Sequence, residues 1–134
     1  MRRQPLLRDA RGLGTIEFAL LAPVMFAIFI SIFQLGTLYF ANADLRNAVA
    51  HGARYASIFP RPSTDAVKAR VSARVVKLQA NKITGPNVTY GKDSNGYDYA
   101  EIEMKYAVPL NFVFFSTPAV TLTDKRRVFL QPAS

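Results

Sequence analysis

The sequence predicts an α+β fold: a long N-terminal helix, membrane-spanning in its first half, packed on a small antiparallel sheet with one further helix. Three observations carry this. Residues 18–41 hold no charged side chain, residues 42–57 repeat small and apolar residues at spacings of three and four, and residues 98–108 alternate apolar with charged. With 134 residues and 14.9 kDa there is room for one small domain beside the apolar segment. Cysteine is absent and His51 is the single histidine, which excludes disulfides, Cys-based metal or redox sites and multi-histidine centres. No cofactor and no metal site is expected, and an enzyme is not.

As a helix, residues 18–41 would reach about 36 Å, against a hydrocarbon core of about 30 Å. Pro23 lies near the start of that helix, where a missing donor is best tolerated. Ser31, Gln34 and Thr37 can bond within the helix or to a neighbouring one. Arg2, Arg3, Arg8 and Arg11 against Asp9 leave residues 1–12 with a charge of +3, so the N-terminus is expected in the cytoplasm and the C-terminal part across the membrane. The rival is a cleaved secretory signal, for which Ala41, Asn42 and Ala43 supply an A-x-A, but the apolar core of such a signal spans only about 7 to 15 residues.

Glu17 precedes the apolar run on the same helix. An ionised group near hydrocarbon costs on the order of 2.5 to 3.5 kcal/mol at mid-bilayer and less near the interface, so it either reaches the headgroups, serves as an acid near a helix N-terminus, or has a partner. The string Gly12, Leu13, Gly14, Thr15, Ile16, Glu17, Phe18 resembles the processing site of class III, type IV-like signal peptides. In that family a short basic leader ends in Gly, the prepilin peptidase cuts behind it, and Glu stands fifth in the mature chain. The resemblance implies a leader over residues 1–12, a new N-terminus at Leu13, a transmembrane helix over 13–41 and an extracytoplasmic α+β domain over 42–134. Phe18 is similar to the aromatic sixth mature residue of Flp pilins and pseudopilins. A liberated amine at Leu13, with an ordinary pKa of about 7.7 to 8.0, would be cationic and could pair with Glu17 of an offset neighbour.

Ala41, Leu45, Ala48, Val49, Gly52 and Ala56 form a stripe along the continuing helix. It suits close approach of another helix, or packing on the protein's own sheet. The string AVAHGARYA, with the EFALLAP-like start, resembles TadE-like pseudopilins of tight-adherence pilus systems. That resemblance implies a pilin-like fold and a non-catalytic role in assembling or initiating a pilus for adhesion. It also implies a place in a bacterial inner membrane, with the domain in the periplasm or in the extracellular pilus, and as partners other pilins and pseudopilins, the prepilin peptidase, the inner-membrane pilus platform and the membrane. A membrane-anchored sensor that keeps Met1, and a domain secreted after Ala43, are the alternatives.

Pro60 and Pro62 break the first helix, and Ser63, Thr64 and Asp65 offer an N-cap for a second. Val67, Val71, Val75 and Leu78 recur at helical spacing and predict an end near Lys82. Residues 88–90 read as a strand and Asp93, Ser94, Asn95 and Gly96 as a turn; a calcium loop there would need a Glu where Met104 stands. In residues 98–108 Ala100, Ile102, Met104, Tyr106 and Val108 face a core. A last strand is expected over 120–130, bent or turned at Asp124, Lys125, Arg126 and Arg127. Phe112, Phe114 and Phe115 either cap the core or form a patch for lipid or a partner pilin.

The net charge is +8, and loss of residues 1–12, with four arginines and one aspartate, leaves +5. No nucleic-acid motif accompanies it, so no specific nucleic acid is expected.

Overall fold

The computed structural model describes residues 10–112 and 117–131. One helix, α1 (Ala10–Ala56), carries the apolar run and continues without a break into the C-terminal domain, with Pro23 inside it. Ser31 Oγ donates to the carbonyl of Ala27 at 2.8 Å and Thr37 Oγ1 to that of Gln34 at 2.7 Å, so both hydroxyls are satisfied within the helix. α2 (Thr64–Ser72) follows, then a short 3-10 turn (Ala80–Lys82) and the strands β1 (Ile83–Lys92), β2 (Asp98–Val108) and β3 (Val120–Phe129). The sheet is antiparallel in the order β1-β2-β3. The α+β fold expected from the sequence is the one formed.

β2 is central because it alone among the strands offers five consecutive inward apolar positions. Ala100, Ile102, Met104, Tyr106 and Val108 are all buried. They meet the second half of α1, where Leu45, Ala48 and Val49 are fully buried, and Val67 and Val71 of α2 close the core from the side. β2 runs from beside Ala56 at Asp98 to beside Ala41 at Val108, antiparallel to α1. The core therefore sits on residues 41–56, with Leu38 packed at its edge, and the most apolar stretch of the helix before it is uncovered.

Three elements differ from the sequence expectation. α2 ends at Ser72, not near Lys82. Ser63 caps it as expected, accepting from the Ala66 N–H at 3.2 Å, but after Ser72 the chain tightens into turns, with Arg74 N–H bonded to the carbonyl of Val71 and Val75 N–H to that of Ser72, and is then tied to Asp44 of α1. Asp44 Oδ2 accepts the backbone N–H of Val76 at 3.3 Å and of Lys77 at 3.1 Å. Val75 and Leu78 still pack on the core, from an irregular connection.

β1 is longer than residues 88–90 because it passes through a bulge. Register shifts between Thr84 and Asn87, where Gly85 has φ +97°, a conformation that favours glycine. Pro86 is tolerated there because β1 is an edge strand.

β3 runs straight through Asp124–Arg127 with no turn. The register pairs Glu101 with Arg127 and Glu103 with Lys125, so the odd-numbered charges fall on the solvent face against acids and need no bend. Asp124 and Arg126 face the other side, opposite Met104 and Ile102. There Arg126 Nε lies 3.5 Å from Asp124 Oδ2, a buried oxygen without a hydrogen bond among the described residues.

Candidate functional site

The residues singled out in the sequence fall into three places, two of them on α1. Gly12 and Leu13 lie in its first turn and a half, within continuous helical backbone. Glu17 and Phe18 follow on the next turn, both exposed. Glu17 makes no ion pair among the described residues. It is also the one charged residue between Leu13 and Ala43. Beyond it the helix presents Leu20, Phe26, Phe29 and Phe33 outward, each more than half exposed. This helix is long and apolar enough to cross a membrane, and its most apolar stretch is not covered by the rest of the chain.

The second place is the stripe. Ala41, Leu45, Ala48, Val49, Gly52 and Ala56 are turned inward, against α2 and β2 of the same chain. A Cβ on Gly52 would land on Cγ2 of Val71 and 3.3 Å from Cδ1 of Ile102. Of the two readings the sequence left open for this stripe, the geometry realises packing on the protein's own domain. The small residues allow α2 and the sheet to approach α1 closely, which fixes the chain's own domain on this helix.

The third is the aromatic loop. Phe112 is half-buried against the core. Phe114 and Phe115 lie outside the described residues. The loop start is tied down the helix: Gln34 Nε2 donates to the carbonyl of Asn111 at 2.5 Å. Neither this bond nor the Asp44 capture was read from the sequence. Gln34 within an apolar run and Asp44 as the first charge after it were the available signals.

The acids of the sheet are paired on the domain's own surface. Glu101 meets Lys125 Nζ at 2.8 Å and Arg127 at 2.8 Å. Hydrogen bonds from Lys125 first and Arg127 second hold its carboxyl below the ordinary 4.5, and Glu101 in turn raises both bases. Asp98 accepts from Arg61 at 3.0 Å, the main cause of its lowered pKa, with Lys92 adding to it. Burial raises the Tyr90 phenol, which donates to the carbonyl of Pro62 at 2.8 Å. Among the described residues no three His, Cys, Asp or Glu side chains gather as metal ligands, and Asp93 is engaged by the N–H groups of Asn95 and Tyr97 in its own turn.

Residues 12–54 match the family model described as TadE-like protein. No curated protein and no solved structure matches the chain. The matched stretch opens on Gly12, contains Glu17 and Phe18, and runs along the stripe to just short of Ala56, so it covers the apolar helix and the part of α1 that carries the domain. Across this third of the chain the likeness is to TadE-like proteins.

Proposed function

We propose that the chain is a minor pilin or pseudopilin of a tight-adherence pilus, made as a precursor and cut after Gly12 by a prepilin peptidase. One observation carries this: the lone acid of an exposed apolar helix stands five residues into the segment that begins at Leu13, and the family likeness opens at the residue before. Cleavage would free a cationic amine at Leu13. Where water is scarce, that amine and the Glu17 carboxylate of an axially offset neighbour neutralise each other, and loss of either leaves an uncompensated charge. The pair sets the stagger of subunits, while the bare helix surface supplies lateral packing.

In this account the protein does no chemistry; it is the peptidase's substrate. Its helix holds it in the inner membrane with residues 1–12 cytoplasmic and the α+β domain periplasmic, and its partners are other pilins, pseudopilins and the pilus platform. The test is to co-express the full chain with a prepilin peptidase and determine the mature N-terminus in membrane and soluble fractions. Leu13 in the membrane is expected, with Gly12→Val blocking the cut. Met1 in the membrane would instead indicate an unprocessed anchored sensor, and Asp44 in solution a secreted domain; either overturns the proposal.

A further inference from the structure

Two connections of the domain reach down beside the top of the apolar run, and each is tied to α1 there. One is the 73–79 connection, held by Asp44 through Val76 and Lys77; the other is the start of the aromatic loop, held by Gln34 through Asn111. Between them opens a groove of about 400 Å³, floored by Thr37, Phe40 and Ala41 and walled by Lys77, Leu78 and Pro109. The backbone of Lys77 is fixed at the level of Asp44, yet its ammonium lies 5.5 Å from the ring centroid of Phe40, one helical turn nearer the apolar run. No carboxylate pairs with that ammonium among the described residues, and Asp44 Oδ2 already accepts two backbone N–H groups. Beside it Val76, though apolar, is 79% exposed.

The depth of this end follows from length. As a helix the uncharged run of residues 18–41 exceeds a hydrocarbon core of about 30 Å by roughly 6 Å, or about four residues. With Phe18 at one boundary, residues 38–41 stand at headgroup depth on the other side. Tyr39 and Phe40, both exposed, then occupy the layer where aromatic rings are favoured. An ammonium over the Phe40 ring stands level with lipid phosphates, on a stem long enough to reach them.

We propose that this end of the domain is a phospholipid-binding foot, in which Lys77 pairs with a lipid phosphate, Val76 enters the interfacial layer, and the groove over Phe40 takes the glycerol end of the same lipid. The inference rests on the membrane-spanning role proposed for α1. It gives the domain a fixed seat on the bilayer, and a subunit leaving for a pilus would have to give up that lipid.

The chain contains no tryptophan, so single tryptophans report depth cleanly. The full chain carrying V76W, F29W or Y97W is reconstituted into vesicles of phosphatidylcholine and phosphatidylglycerol that contain lipids brominated near the headgroup or deep in the acyl chain. V76W emission should be blue-shifted and quenched by the shallow bromines, and Y97W, in the hairpin at the far end, should not be quenched. Adding Lys77→Gln to V76W should weaken the phosphatidylglycerol-dependent quenching about fivefold, and Lys77→Arg should retain it. Unquenched V76W beside deeply quenched F29W overturns the foot and leaves the span standing. Unquenched F29W overturns the span and the foot with it. Quenching of V76W that ignores Lys77→Gln overturns the phosphate pairing, and with it the proposed site.

Discussion

Gly52 of α1 sits directly against Val71 of α2. A methyl group there would meet the stiff, fully buried Val71, an overpacking cost of about 1 to 3 kcal/mol set against about 1 kcal/mol gained in helix propensity. Gly52→Ala should therefore lower stability by about 1 kcal/mol, measured as a drop in the thermal midpoint of the full chain in detergent. Leu45→Ala, at a fully buried position, should cost more, about 2 to 5 kcal/mol. Asp44→Ala removes the acceptor of two backbone N–H groups; at this exposed site a loss of about 1 kcal/mol is expected, with faster amide exchange at Val76 and Lys77 and little change at Leu45. At this scale the sequence was readable where a residue's role is set by its own helix: the stripe from Ala41 to Ala56 was visible from spacing alone. It did not reveal what the stripe faces, since small residues spaced by three and four serve a sheet and a neighbouring helix equally well.

Among the elements, β2 was legible end to end because its alternation is unbroken, and its bounds fall where the pattern starts and stops. β1 and β3 were harder for different reasons. Gly85 and Pro86 resemble a helix stop in sequence, and only pairing with β2 turns them into a bulge inside a strand. The four consecutive charges of β3 resemble a turn until the register sets Lys125 and Arg127 around Glu101. That cluster gives the sheet an acid limit. Because Glu101 is held below its ordinary 4.5 in the folded chain, its contribution is complete above that value and is lost as pH falls through the lowered one. Asp98, lowered from 3.8 by Arg61, acts in the same direction. The denaturation midpoint should fall as pH drops below about 4.5, and Glu101→Gln should flatten that fall; an acid limb unchanged by the substitution would separate the cluster from stability. The end of α2 belongs here too: helical spacing predicted a run to Lys82, whereas the chain after Ser72 is held by turn bonds and by a carboxylate on a different helix.

For the whole molecule, a domain packed on residues 41–56 leaves the preceding apolar helix uncovered, and that division was already plain in the uncharged run of residues 18–41. A bare helix of this kind needs lipid or other helices around it, and Glu17 is the one place where its surface could specify an axial position. The proposed liberated amine at Leu13 and the Glu17 carboxylate of a neighbour make that position unique, since any other offset strands a charge. The most direct measurement is to follow the Glu17→Gln chain in a cell that builds the pilus, scoring cleavage, membrane retention and crosslinking to pilin neighbours together. The account predicts normal cleavage after Gly12 and normal retention, with crosslinked assemblies lost; assemblies formed as abundantly as with Glu17 would contradict it.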